Sequence, residues 1–218
     1  MPTLVQNGLS IVAVGDFNTR IFQPAWFSSQ KLISEMEANA PTELFVSDQL
    51  ATFRLPWLLL RVIPKEFVAL TVQDSHFEPL RDLVIGTFRL LRHTPITQLG
   101  INVEQHYLFE NVEEWNNFGH KLAPKALWKE SFKDPGLLAM TMQEKAGRTG
   151  GPPGTTNVDV QSSVFFRPGV FFRVNNHYHF EDVPPGNTAE AMVKVLEVNL
   201  AIALDFSKRV IDNLLKAV

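Results

Sequence analysis

Four polar side chains recur at every second position just before residue 180, and their types could bind a ligand. In the segment VFFRVNNHYHF they are Arg173, Asn175, His177 and His179. Because successive side chains of a β-strand point to opposite faces, all four are predicted to share one face of a strand. Guanidinium, amide and imidazole groups gathered on one surface indicate a site that binds a ligand or a partner.

The two histidines could also hold a metal ion, because imidazoles two positions apart on a strand point the same way. Such a site needs a third ligand, which His106, Glu104 or Asp159 could supply if their strands adjoin. A simpler interpretation is that both histidines are exposed on the solvent face of a strand, and we favour it. We therefore predict no metal site and no cofactor, and we include His106 only in the ligand- or partner-binding surface.

The chain lacks the sequence signatures of several kinds of enzyme. It contains no cysteine, which excludes a thiolate nucleophile and cysteine-ligated zinc. It also has no G-x-S-x-G elbow, H-E-x-x-H pair, dinucleotide-binding fingerprint or EF-hand loop. Glycines in residues 147–154 could surround an anion, but the Lys-Ser/Thr ending of a P-loop is missing, so we interpret this segment as a hairpin loop. We predict no catalytic residues and favour a non-catalytic protein over an enzyme.

The strands that would position the polar side chains have a clear two-residue period. Residues 99–109 alternate between apolar and polar side chains, with Asn102, Glu104 and His106 on the polar face. Antiparallel strands commonly pack one face on a core and expose the other to water. The pattern therefore predicts a half-solvated antiparallel strand.

Three helices are predicted to pack against these strands. Residues 77–93 carry an apolar stripe at helical spacing, behind a capping box formed by Ser75 and Glu78. A second helix is predicted to begin after a cap at Asn111. The third, over residues 187–216, is the longest, and its apolar middle indicates that it is buried on more than one side.

One predicted strand is apolar on both faces. It covers residues 51–62 and forms the first strand of a hairpin, with Trp57 on one face and Leu58 and Leu60 on the other. Such a strand is covered on both sides, and Pro56 indicates an edge or a bulge because proline has no N–H to donate. We therefore predict a partner interface at these three apolar residues. The alternative is a central strand that is buried within this chain.

The order of the elements predicts an internal duplication. Residues 8–93 run strand, helix, three strands, helix, and residues 97–216 run in the same order. We predict an α+β fold of two β-α-β-β-β-α units, residues 1–95 and 96–218, which form one globular unit with a curved antiparallel sheet and helices on one face. This arrangement resembles the TATA-binding-protein-like and helix-grip classes. By that resemblance, the former includes DNA binders that use the concave sheet, and helix-grip proteins often hold apolar ligands between sheet and helix.

Three segments of the chain carry a resemblance to a protein family. They are GDFNTRIFQPAWF, FEPLRDLVIGTFRLLRHTPI and LGIN. These segments resemble those of an uncharacterised, sporadically distributed family of bacterial proteins, and the similarity would span most of the chain. The resemblance implies no activity, because the function of that family is unknown.

Composition narrows the environment and the partners. The 218 residues are 45% hydrophobic and include 17 phenylalanines, which is enough for a substantial core. A net charge of −3 and the lack of a lysine or arginine cluster argue against nucleic acid, whose phosphates attract basic surfaces. No apolar run approaches the roughly 18 residues of a membrane span, and the first residues lack a basic leader. We therefore expect a cytoplasmic protein without membrane contact.

These observations favour one function and leave two alternatives. We expect a cytoplasmic, non-catalytic binding or assembly module that acts through protein–protein contacts, with a second copy of itself as a homodimer or with another protein. The first alternative is a helix-grip-type binder of a small apolar ligand, since a long buried helix would face phenylalanine-rich strands. The second is a metal-dependent hydrolase that uses His106, His177 and His179.

Overall fold

A computed structural model of the chain describes residues 1–145 and 153–216. Its strands form one curved antiparallel sheet. They are β1 (Thr3–Gly15), β2 (Thr42–Val46), β3 (Ala51–Arg54), β4 (Leu59–Ile63), β5 (Glu66–Thr71), β6 (Ile96–Leu108), β7 (Ala139–Glu144), β8 (Gly154–Ser162) and β9 (Gly169–His179). The order across the sheet is β2-β3-β4-β5-β1-β6-β9-β8-β7. The two longest strands, β1 and β6, therefore pair at its centre.

The helices pack on one face of this sheet. They are α1 (Pro24–Ser29), α2 (Glu35–Asn39), α3 (Phe77–Leu90), α4 (Val112–Leu122) and α5 (Thr188–Lys216), with short 3₁₀ turns at Thr19–Ile21, Asp74–His76 and Lys125–Leu127. One core cluster joins Ile11 and Phe67 of the sheet to Phe88 of α3 and Leu196 of α5, all 0% exposed. A second, smaller cluster joins the β6–β9 side of the sheet to α4 and to the end of α5.

The predicted halves, residues 1–95 and 96–218, contribute to the same sheet. Strand β1 of the first half pairs with β6 of the second, from Thr3 opposite Leu108 to Gly15 opposite Ile96. The predicted α+β class with an antiparallel sheet is confirmed. Among the described residues, no helix is both long and apolar enough to span a membrane. Most of the hairpin loop predicted over residues 147–154 lies outside the described residues.

The predicted strand over residues 51–62 is wrong, because this segment folds as a hairpin. The chain reverses between β3 and β4, where the N–H of Leu55 donates to the carbonyl of Leu58 and the N–H of Leu58 donates back. Pro56, which has no N–H, lies inside this turn. The reversal gives the first half one strand more than the predicted order of elements.

Helix capping follows the prediction at one site and departs from it at another. The side chain of Asn111 accepts from the N–H of Glu114, as predicted, and starts α4. The predicted capping box at Ser75 is wrong, because a 3₁₀ turn covers this segment and α3 begins without a side-chain cap. A capping box occurs instead at the start of α2, where Ser34 and Glu37 bond to each other's backbone N–H groups.

Strand β6 is more buried than a half-solvated strand would be, so this prediction is wrong. Its apolar face packs on the helices, as predicted, with Leu99 and Ile101 at 0% exposure. On the other face, Asn102 and His106 are only 6% and 4% exposed. Because β6 is a central strand with long neighbours on both sides, side chains of β1 and β9 flank its polar residues.

Candidate binding site on the open face of the sheet

The sheet face that points away from the helices, called here the open face, carries all five predicted binding residues. Arg173, Asn175, His177 and His179 lie on this face of β9, and His106 lies on it in β6. The two strands are neighbours, with Glu104 opposite Arg173 and Asn102 opposite Asn175. We call the polar side chains that run across β8, β9 and β6 on this face the polar strip. Its members are Asn157, Asp159, Arg173, Asn175, His177, His179, Gln98, Asn102 and Glu104.

A row of amides crosses the middle of the polar strip. The Nδ2 group of Asn175 donates to Oδ1 of Asn102 at 2.5 Å, and Nδ2 of Asn102 donates to Oγ of Ser10 at 3.1 Å. These bonds fix the orientation of both amides, and therefore also the position of the Oδ1 atom of Asn175. Its Oδ1 atom is buried and has no hydrogen-bond partner among the described residues. A buried acceptor without a donor is costly.

A row of charged groups lies beside the amides. Arg173 binds Asp159 at 2.7 Å, and the hydroxyl of Thr141 donates to the same carboxylate at 2.6 Å. Glu104 faces Arg173 from β6, and no opposite charge lies on its other side, where β1 has Gly8. Burial raises the pKa of Glu104, and the positive charge of Arg173 lowers it only in part. The strip thus holds two carboxylates and one guanidinium.

The two histidines of β9 lie side by side at one end of the polar strip. Their ring centroids are 4.6 Å apart. Burial, and then the neighbouring His179, lower the pKa of His177, which favours the neutral imidazole. The Nδ1 atom of His179 is buried without a hydrogen-bond partner in the part of the chain that the structure describes. Within that part, no three histidine or carboxylate side chains are grouped so that they could hold a metal ion.

His106 lies at the opposite end of the polar strip and is enclosed. Its ring contacts Phe171 at a centroid distance of 4.7 Å, and Phe165 and Phe166 at 5.5 Å each. Its Nδ1 atom bonds with the hydroxyl of Ser163 at 2.9 Å, and burial lowers the pKa of the imidazole. At 4% exposure it forms a boundary of the strip rather than a contact surface.

Two glycines on the central strands leave positions beside the polar strip without side chains. Gly8 of β1 lies opposite Glu104, and Gly100 of β6 lies opposite His177. A Cβ atom added to Gly100 would lie 3.5 Å from the amide nitrogen of Asn175. Glycine inside a strand often marks a place where a ligand or another chain approaches the backbone.

Part of the polar strip was missed by sequence reasoning. Asn102, Asn157 and Gln98 were not predicted as site residues, and Glu104 and Asp159 were considered only as metal ligands. The alternation of side chains places Asn102 and Asp159 on polar faces of their strands. Only the register of β8 on β9 and of β9 on β6 shows that these faces adjoin the same side chains.

The predicted partner interface lies in a different environment. Leu58 and Leu60 are 1% and 0% exposed and belong to the main core of this chain. Trp57 is half-buried: its indole N–H donates to Glu37 at 2.8 Å, and its ring stacks on His76 at 5.3 Å. The inference that motivated the interface, a single strand with two apolar faces and an edge proline, is removed by the turn between β3 and β4.

The space between α5 and the sheet is filled by side chains. Met192 and Leu196 are 0% exposed and belong to the main core, and Ile211, also 0% exposed, belongs to the second. A binder of apolar ligands between sheet and helix needs an open chamber there. The packing of these residues argues against this alternative.

The comparisons with known proteins provide no relatives. No protein-family model matches the chain, and no curated protein sequence matches it. The resemblance to a sporadically distributed bacterial family remains a prediction. The chemistry of the polar strip is therefore the basis on which a function can be proposed.

Replacing Glu104 by glutamine is expected to raise the melting temperature at pH 7.5. Burial makes the folded state favour the protonated carboxyl, so the ionised form costs stability once the pH exceeds the pKa of the unfolded chain. Glutamine removes this cost, and the gain should disappear near pH 3.5, where the native residue is protonated in both states. Thermal unfolding followed by circular dichroism measures the melting temperature at both pH values. The matched control is Glu130→Gln at an exposed position, and a lower melting temperature for Glu104→Gln at pH 7.5 would show that the attraction of Arg173 dominates.

Proposed function

We propose that this chain is a non-catalytic binding and assembly module that acts through protein–protein contacts, with the polar strip as its binding surface. The observation that carries the proposal is a pair of buried polar atoms on the open face of the sheet, Asn175 Oδ1 and His179 Nδ1, which have no hydrogen-bond partner among the described residues. A partner that reaches these atoms on binding would supply the missing hydrogen bonds. We place the protein in the cytoplasm, in keeping with a chain that has no cysteine.

The charges of the polar strip favour a basic side chain of the partner. Asp159 and Glu104 flank the single guanidinium of Arg173, so the strip has an excess of negative charge when Glu104 is ionised. A lysine or arginine of a partner would add the missing positive charge and donate to the carboxyl group of Glu104. Gly8, opposite Glu104, and Gly100, opposite His177, place no side chains of their own on this part of the open face.

We further infer that the two halves of the chain are structural repeats. In support, the first strand of each half lies at the centre of the sheet, and the later strands follow outwards in reverse order, β5-β4-β3-β2 on one side and β9-β8-β7 on the other. Of the two classes named above, the TATA-binding-protein-like class is the better match, because the space where a helix-grip protein holds its ligand is filled. Arg173 is the one guanidinium of the strip and is paired with Asp159, so the strip lacks the basic surface that DNA requires.

Titration with short peptides tests the proposed basic partner. We expect acetyl-Gly-Lys-Gly-amide and its arginine counterpart to shift the side-chain amide NMR signals of Asn102 and Asn175 saturably at millimolar concentration. Acetyl-Gly-Glu-Gly-amide should leave them in place. The Glu104→Gln variant should bind the basic peptides about fivefold more weakly, which corresponds to the roughly 1 kcal/mol of a partly exposed ion pair.

The matched control for this titration is Glu130→Gln, which removes the same charge from an exposed site outside the polar strip. It should bind the basic peptides like the native chain. Equal shifts with acidic and basic peptides would disprove recognition of a basic side chain. The absence of any shift at Asn102 and Asn175 would disprove binding at the polar strip.

A further inference from the structure

The two outer strands of the sheet differ in how their edges are protected. At one edge, β2 pairs irregularly with β3, with a register shift between Thr42 and Phe45, and Glu43 has a positive φ of 58°. Irregular edges of this kind prevent a further strand from adding. At the other edge, β7 pairs with β8 in six consecutive positions without a shift. Its sequence, AMTMQE, has no proline and only one charged residue, Glu144.

The helical layer stops short of the β7 edge and leaves apolar side chains uncovered there. On the helix-facing side of β7, Met140 packs against the second core cluster, whereas Met142 is 63% exposed. Leu138, just before the strand, is 83% exposed. Beside it, the half-exposed rings of Trp128 and Phe132 line a groove of about 380 Å³. The edge therefore combines an apolar flank with backbone groups that pair with no other strand in the described part of the chain.

We propose that β7 pairs antiparallel with β7 of a second copy of this chain, so that the sheet continues across a two-fold axis. The inference rests on the proposed assembly role and assigns it a surface, but this surface is separate from the binding residues of β9. A regular strand edge with unpaired N–H and C=O groups fits another extended strand. A two-fold contact requires in addition that the strand be complementary to itself.

The sequence of β7 meets this requirement in one register. If Thr141 lies opposite Thr141 of the second copy, Met140 of each chain lies opposite Met142 of the other. The four methionines then cover one another on the helix-facing side, and the two threonines pair on the open face, as cross-strand threonines commonly do. Glu144 falls opposite Leu138, so the two carboxylates do not meet. This complementarity identifies the occupant as a second copy rather than an unrelated strand.

Sedimentation equilibrium between 1 and 100 µM tests the dimer, and we expect a species of about twice the 24.6 kDa chain mass. Met142→Lys should weaken dimerisation at least tenfold, because it places a charge at the edge opposite Met140. The matched control is Met36→Lys, at a methionine that is 79% exposed on α2, and it should leave the dimer intact. Thermal unfolding of both variants shows that each is folded.

Cross-linking tests the register. Because the chain has no cysteine, Thr141→Cys introduces a single thiol, and a short bis-maleimide should join two chains through it. A thiol at Gln49→Cys, in the loop before β3, should give no dimer. A monomer at 100 µM would overturn the proposal, and so would a dimer that Met142→Lys leaves intact or that Thr141→Cys fails to cross-link. Met142→Lys should bind basic peptides like the native chain, so a failure here is distinguishable from a failure at the polar strip.

Discussion

Phe67→Ala is expected to lower the free energy of unfolding by about 3–5 kcal/mol, the range typical of a buried phenylalanine replaced by alanine. Phe67 is 0% exposed and lies in the main core. Its ring contacts Phe88 at 5.1 Å, Phe22 at 5.6 Å and Phe17 at 6.2 Å. The change removes these contacts and leaves a cavity between β5, α3 and the segment before α1.

Urea unfolding followed by tryptophan fluorescence measures the loss. Small domains are typically stable by only about 5–15 kcal/mol, so the variant should unfold at a much lower urea concentration. The matched control is Phe45→Ala, because Phe45 is 54% exposed on the edge strand β2. Its cost should stay near 0.5 kcal/mol, as for most surface substitutions. Similar losses for the two variants would contradict the assignment of Phe67 to the core.

Gly15→Ala is expected to lower the free energy of unfolding by about 1–3 kcal/mol, the usual cost of an overpacked position. A Cβ atom at residue 15 would lie 2.1 Å from the carbonyl oxygen of Pro95. The backbone cannot easily move away, because the N–H of Gly15 donates to Lys65 and that of Asp16 donates to the same Pro95 carbonyl. These bonds hold the end of β1 between β5 and β6.

Gly119→Ala is the control that should change stability in the opposite direction. Gly119 lies within α4, and among the described residues no heavy atom beyond its chain neighbours and the helix backbone lies within 4 Å of a Cβ atom added there. Alanine favours a helix over glycine by about 1 kcal/mol, so this variant should be slightly more stable than the native chain. Chemical unfolding of both variants compares them directly. A neutral or stabilising Gly15→Ala would show that the contact with Pro95 is looser than the structure indicates.

The polar strip illustrates how far the sequence predicts a site. The alternation in β9 was sufficient to place Arg173, Asn175, His177 and His179 on one face, because side-chain direction in a strand depends only on position. The same reasoning could not identify Asn102 as the partner of Asn175, since these residues are 73 positions apart and meet through strand register. Nor could it predict that His106 would be enclosed by three phenylalanines, two of which come from the segment between β8 and β9.

The hairpin of β3 and β4 is a feature of the fold that the sequence pattern failed to predict. Apolar residues at consecutive positions from Leu58 to Leu60 are compatible with a strand buried on both faces, so periodicity alone did not reveal the reversal. In the folded chain Phe53 pairs with Leu60 and Ala51 with Val62, which places these four on one buried face. Pro56 was taken as an edge or bulge signal, whereas it forms part of the turn.

By itself, the sequence determined the class of fold, the long helices and the faces of the central strands, because these depend on residue spacing within one segment. The tertiary structure decided which strands are neighbours, which acceptors remain without partners and which edge of the sheet is regular. Backbone hydrogen bonds between strands are the same for every residue type except proline, so the local sequence does not specify its partner strand. The neighbours are selected by the burial of all apolar faces together, and that selection brought Glu104 beside Arg173 and left Asn175 Oδ1 without a donor among the residues that the structure describes.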